Sequence, residues 1–396
     1  MKLFAEIELA RRDPILGLNE AYQADNRPNK INLGVGVYYD EQGHIPLLKA
    51  VQKTEAEFVA AAAPHSYLPI DGITAYNHAV QKLLFGANSP LIKEQRLVTV
   101  QALGGTGALK LGADFVRDHL KGTEVAISNP SWENHKALFS TAGYKVHDYN
   151  YYDAASHGLN KAGLLADLKA LPAKTLVILH GCCHNPTGVD LTKHDWQDVL
   201  TIVKERQLIP FIDIAYQGFG QGIEEDAFAV RLFAESGLNF LVASSFSKSF
   251  SLYGERVGAL SIVTDSAEEA NKVLSQLKRV IRTNYSNPPT YGAMLVCKVL
   301  NNPELYQMWE NELKQMRERI KNMRKLMVEQ LSATKQDFSF IEKQCGMFSY
   351  SGLTSAQVDK LRTEFGIYAV ATGRICVAAL NNNNIKLVTD AISKVI

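Results

Sequence analysis

The chain has 396 residues, of which 46% are hydrophobic and 21% charged, and 42 basic residues balance 41 acidic ones to a formal charge of +1. That length suits one large α/β unit with a smaller companion, and the near-neutral balance excludes the basic footprint of a nucleic-acid or anionic-membrane binder. Five irregularly spaced cysteines, at 182, 183, 297, 345 and 376, make no disulfide framework and fit a reducing compartment. At the N-terminus Glu6 and Glu8 interrupt what a signal peptide would need as an apolar stretch, and no run approaches membrane-spanning length, so the expectation is a cytoplasmic protein.

From about residue 97, short β-branched runs alternate with helical patterns. The strands expected are 96–101, 124–128, 144–149, 175–180, 208–214, 240–244 and 256–263. Between the fourth and fifth, "LTKHDWQDVLTIVKERQ" reads as a helix capped by Thr192 with Asp195 three residues on. The alternation predicts an α/β fold with a mostly parallel seven-stranded sheet between helices. Little room separates the sixth strand from the seventh, which predicts an antiparallel last strand. Residues 303–331 form one long amphipathic helix, with Leu305, Met308, Trp309, Leu313, Met316, Ile320, Met323 and Met327 as a packing stripe. It would connect a large domain, 45–311, to a smaller α+β domain made of 1–44 and 312–396.

Ligands of open parallel sheets sit beyond the carboxyl ends of the strands. Applied here, that rule gathers an unusual set. "GGTGALK" after the first strand offers Gly105, Thr106 and Gly107 at a helix start, a weak anion-binding signal when alone. Trp132 and His135 follow the second strand, Asn185 the fourth, Asp213 and Tyr216 end the fifth, and Lys248 follows the sixth in "SFSKSFSLYGERVG". A snorkelling surface lysine is the plain alternative for Lys248. The whole set, however, matches what pyridoxal 5'-phosphate needs. Lysine supplies an amine for the aldehyde, aspartate a partner for the pyridine nitrogen, tyrosine and asparagine donors for the ring oxygen, and tryptophan a stacking face. Ser245 and Arg256 add phosphate donors. His180, Cys182, Cys183 and His184 match no standard zinc spacing, so no metal is expected.

"SFSKSFSLYGERVGALS", "HNPTG", "DIAYQGFG", "YLPIDGI", "NYSNPP" and "ATGRICVA" resemble the class I aminotransferases of pyridoxal-phosphate fold type I. The resemblance is to the aspartate and aromatic amino acid branch, and most of all to the bacterial tyrosine enzymes. It runs from "DPILGL" (13–18) to the C-terminus. It implies that Lys248 forms the internal aldimine and later moves the substrate proton, and that Asp213 pairs with the ring nitrogen, backed by His135. Tyr216 and Asn185 would hold the ring oxygen, and Trp132 would stack on the ring. Gly105, Thr106, Ser245, Ser247 and Arg256 would surround the phosphate, with Tyr67 reaching it from a neighbouring subunit of a homodimer. Arg374 would clamp the substrate α-carboxylate, Gly36 would let backbone approach it, and Arg282 of the neighbouring subunit would take a second carboxylate.

The resemblance implies ping-pong transfer from an amino acid to a 2-oxo acid such as 2-oxoglutarate. Tyr39 and Ile45 match the aromatic-type enzymes, while Thr106, Ser66 and Asn287 depart from them. The expectation is therefore activity on tyrosine and phenylalanine as well as aspartate. A strict aspartate enzyme and a pyridoxal-phosphate lyase are the alternative enzymes. A non-catalytic nucleotide or metal module built on "GGTG" and "HGCCH" is the remaining reading.

Overall fold

The computed structural model describes residues 3–10, 15–64 and 66–396. Asp13 and Pro14 of the "DPILGL" motif lie outside them. All seven expected strands form, with ends shifted by at most two residues: β1 (Leu97–Leu103), β2 (Val125–Asn129), β3 (Val146–Asn150), β4 (Leu176–His180), β5 (Ile209–Ile214), β6 (Leu241–Ser245) and β7 (Val257–Val263). Their order in the sheet is β1-β7-β6-β5-β4-β2-β3. β2 runs parallel to β3 and β4, and β4, β5 and β6 follow in parallel register. β7 is antiparallel to both β1 and β6, as the short connection demands.

Both faces of this sheet are buried, and side chains alternate across it with period two. On β4, Leu176 and Ile178 join one apolar cluster, with the helices Gly104–His119 and Ala267–Asn284. Val177 and Leu179 join the other, with the helices Thr74–Phe85, Lys193–Glu205 and Pro303–Leu331. The helix Lys193–Glu205 starts at the expected cap: Thr192 Oγ1 accepts from the Asp195 amide, and the Asp195 carboxylate accepts from the Thr192 amide.

The long helix spans Pro303–Leu331 without a break. Its stripe is buried except for the half-buried Met308. Toward its start, Trp309 Nε1 donates to the Ser249 carbonyl at 2.7 Å, next to Lys248. Toward its end, the buried Arg324 donates to the carbonyls of Gly346 and Phe348. Ile31–Asn32 pairs in parallel with Ile367–Tyr368, and Phe348–Tyr350 pairs antiparallel with Arg374–Cys376. Among the described residues no helix is long and apolar enough to cross a membrane.

Candidate active site

A cavity of about 250 Å³ opens beyond the carboxyl ends of β4, β5 and β6. Its walls hold Gly36, Gly105, Thr106, Trp132, Asn185, Asp213, Tyr216, Ser245, Ser247, Lys248, Arg256 and Arg374. Twelve residues that lie far apart in sequence are thus brought together: those gathered at the strand ends, joined by Gly36, Ser247 and Arg374, which the resemblance had added.

Lys248 leaves β6 in a tight turn, and its Nζ lies 4.9 Å from the centre of the Tyr216 ring. Burial draws its amine down from 10.5 to about 8, against the attraction of Asp213 and with help from Arg256 and Arg374. Tyr216 is driven the other way, its hydroxyl held protonated by burial.

Asp213 is buried at the end of β5. Burial opposes its ionisation, but the hydrogen bond from His135 and the charge of Lys248 overcome this and hold the carboxyl below its ordinary value. His135 Nε2 donates to Asp213 Oδ2 at 2.9 Å. Ser131 Oγ then donates to His135 Nδ1 (2.9 Å) and accepts from His180 Nε2 (3.2 Å), the one assignment that satisfies every atom when both rings are neutral. Burial takes the His180 imidazole down to about 3, so it stays neutral. His180 and Cys182, considered above only as metal ligands, are part of this cavity wall.

An anion cup lies at the start of the helix Gly104–His119. Gly104 has φ +67°, and a Cβ there would sit 2.4 Å from Arg256 Nη2. Arg256, itself at φ +54°, reaches Ser247 Oγ at 3.3 Å and the Tyr253 carbonyl at 2.9 Å. Ser245 Oγ and Ser247 Oγ are 3.2 Å apart. Two hydroxyls, a guanidinium and the free amides of a 16-residue helix thus converge, a donor set without an acceptor charge of its own.

Arg374 is buried, at 1% exposure, yet its partners are neutral: Asn185 Oδ1 at 3.1 Å, the Gly34 carbonyl at 2.6 Å and the Phe348 ring at 4.4 Å. Among the described residues its Nε has no hydrogen-bond partner. A buried cation in this state lacks an anion. A Cβ on Gly36 would meet the Phe348 ring at 2.6 Å, so glycine is required for that close approach. Phe348 and Tyr253 are wall residues that sequence reasoning passed over.

His135 stands behind the wall through Asp213. Four further candidates are not in the cavity. Tyr67 is 89% exposed and Ile45 44% exposed. Tyr39 is half-buried, its amide bonded to the Ala378 carbonyl. Arg282 is exposed at the end of the helix Ala267–Asn284, where it donates to Ser286 Oγ.

A reactive amine, a buried carboxylate below it and a phosphate-type cup around one cavity of an α/β sheet define an enzyme built to hold a phosphorylated carbonyl cofactor. The family model described as Aminotransferase class I and II matches residues 28–392. The chain belongs to that family and is an aminotransferase. It is 66% identical to an aspartate aminotransferase of Pseudomonas aeruginosa, with both chains covered completely. It is 50% identical to the aromatic-amino-acid aminotransferase of Escherichia coli, over 99% of this chain and 100% of that one. The crystal structure of an aromatic-amino-acid aminotransferase from Burkholderia pseudomallei, covalently bound to pyridoxal phosphate, superposes with a TM-score of 0.98 at 63% identity over the whole of both chains.

Proposed function

We propose that this enzyme moves the amino group of tyrosine, phenylalanine and aspartate to 2-oxoglutarate in a ping-pong cycle, using pyridoxal 5'-phosphate held in the cavity described above. The observation that carries the reading is the convergence of Lys248, Asp213, Arg374 and the Arg256 cup on one cavity. The donor set fits the cofactor. The cup takes a phosphate, Asp213 can keep a proton on the ring nitrogen, Tyr216 and Asn185 can donate to the ring oxygen, and Trp132 provides a stacking face. When bound, the cofactor supplies an aldehyde for the amino group and a ring that withdraws electrons from the substrate Cα.

The protein does the rest. Lys248, with its amine near 8, carries the proton to and from the substrate Cα. Arg374 presents a planar fork to the α-carboxylate, replacing the anion that it lacks. Gly36 and Phe348 shape the wall beside it.

The site is completed by a second copy of the chain. Tyr67 and Arg282 stand exposed on neighbouring segments, where Asn287 Nδ2 donates to the Leu68 carbonyl at 3.3 Å and Lys278 pairs with Asp71 at 3.2 Å. Exposed apolar side chains, Leu3, Phe4, Ile7, Leu47 and Val59, offer surface for a partner to cover. In a homodimer Tyr67 would reach the neighbouring phosphate and Arg282 the distal carboxylate of an acidic substrate. The division into 45–311 and 1–44 with 312–396 is supported by the long helix, which anchors to Ser249 at one end and Phe348 at the other. The pairing of Ile31–Asn32 with Ile367–Tyr368 supports it too. We assign the enzyme to the cytoplasm.

Dual specificity is supported by the mixture of relatives and by a psychrophilic aromatic aminotransferase, 43% identical, that was cocrystallised with aspartic acid. Steady-state kinetics with tyrosine, phenylalanine and aspartate against 2-oxoglutarate tests it. All three should react with parallel double-reciprocal lines; turnover of aspartate alone would remove the aromatic half.

A further inference from the structure

Behind the cavity wall lies a cluster of thiols that amino transfer does not use. The sulfurs of Cys183 and Cys345 and a carboxylate oxygen of Asp190 all lie within 4.8 Å of one another. The two cysteines come from segments distant in sequence, and the backbone is closely apposed there. A Cβ on Gly346 would sit 2.5 Å from Cys183 Cβ and 2.9 Å from its sulfur. The Cys345 amide donates to the Gly188 carbonyl at 2.7 Å, fixing the two segments together.

The same groups could suggest a metal site, but both nearby carboxylates are already in use. Asp190 accepts from the amides of Cys183 and His184, each at 2.7 Å. Asp226, beside Cys182 and Cys183, accepts from the amides of Gly218, Gly220 and Gln221. Backbone amides take up the acids, and the thiols donate only weakly, Cys345 Sγ to Asp190 Oδ2 at 3.1 Å and Cys183 Sγ to the Tyr216 carbonyl at 3.9 Å. Access favours Cys345. It is half-buried and lines a surface cavity of about 440 Å³, whereas Cys183 is buried behind it.

We propose that Cys183 and Cys345 form an oxidation site, which closes to a disulfide when a hydroperoxide such as hydrogen peroxide reaches Cys345. The Cys345 thiol attacks one peroxide oxygen, breaking the O–O bond, and becomes a sulfenic acid with release of one water. Cys183 sulfur then attacks the Cys345 sulfur, its proton leaving with the hydroxyl as a second water. Two thiols are oxidised and one peroxide is reduced. The two sulfurs, within 4.8 Å of one another, would close to the ~2.05 Å of an S–S bond. The link would staple the turn that carries Asn185 to the segment leading into Phe348, two walls of the same cavity.

The test treats the holoenzyme with hydrogen peroxide, removes the excess, and counts thiols after denaturation. The titre should fall by two from five. Peptide mapping without reductant should find one species joining Cys183 to Cys345, and dithiothreitol should restore both thiols. Cys345→Ser should keep all its remaining thiols under the same treatment. Cys345→Ala repeats the comparison should that variant fail to fold, whereas Cys183→Ser should lose one thiol, as a sulfenic acid at Cys345, and form no link. An unchanged titre in the unaltered enzyme, a link joining Cys182 to Cys183, or loss of thiols that dithiothreitol does not reverse would overturn the proposal.

Discussion

A lysine whose amine sits near 8 has about a tenth of its population uncharged at pH 7, several hundred times more than an ordinary lysine. In the cofactor-free protein, Lys248 should therefore react selectively with an amine reagent, at a rate that rises through a midpoint near pH 8 and then levels. Peptide mapping across a pH series checks this; a midpoint above 10 would mean that burial does not depress the amine. Lys248→Ala should lower the rate of amino transfer by at least ~10³-fold, since it removes both the attachment point and the proton carrier. Arg374→Lys keeps the charge but loses the fork, and leaves Asn185 Oδ1 or the Gly34 carbonyl without its donor. Loss of one charge-assisted hydrogen bond predicts a fall in kcat/KM of roughly 10–100-fold, equal for acidic and aromatic substrates, because both carry the same α-carboxylate. These residues were legible in the sequence because each is the wrong type for its surroundings. Asp213 ends an apolar strand, and Lys248 stands among five serines at 244–251. Phe348 and Tyr253 were not legible, because an aromatic residue in the wall of a cavity looks in sequence like any core aromatic.

At the scale of elements, the long helix does more than connect. Trp309 stacks on Phe250 with ring centres 4.6 Å apart, and its indole N–H satisfies the buried Ser249 carbonyl. The loop that carries Lys248 is thereby fixed to the helix Pro303–Leu331 on one side and to β6 on the other. Trp309→Phe keeps most of the packing but leaves that carbonyl unpaired, which should cost about 1–3 kcal/mol in denaturant unfolding. It should also lower kcat through a less ordered Lys248 loop while KM for 2-oxoglutarate changes little. If kcat holds and only stability falls, the buttress is structural alone. The strands themselves were readable almost to their ends, since β-branched runs buried on both faces have few other solutions. The antiparallel β7 followed from the shortness of its connection, but its place between β1 and β6 did not. Strand order depends on which helices cover which face, and that is set by contacts between residues far apart in sequence.

At the scale of the whole molecule, one chain leaves four expected functional residues outside the cavity, two of which, Tyr67 and Arg282, were expected to act from a neighbouring subunit. Tyr67 and Arg282 stand in solvent, and the proposed homodimer gives both a role in the neighbouring site. Arg282→Ala should then raise KM for aspartate and 2-oxoglutarate by roughly 10–100-fold, the worth of a charged hydrogen bond, and leave the half-reaction with phenylalanine nearly unchanged. Single-turnover kinetics with each substrate separates the two. Equal losses on both would indicate that Arg282 acts on folding or assembly instead of on the distal carboxylate.

Composition, periodicity and a few mismatched residues determined the class of fold, the order of its elements and the chemical types gathered at the strand ends. They could do so because burial and hydrogen bonding constrain each segment locally. Tertiary structure alone decided that His180 and Cys182 line the cavity wall, that Arg374 is a buried cation with only neutral hydrogen-bond partners among the described residues, and that Cys183 lies close to Cys345. Those facts are distances between segments up to hundreds of residues apart, and no local preference along the chain encodes a distance.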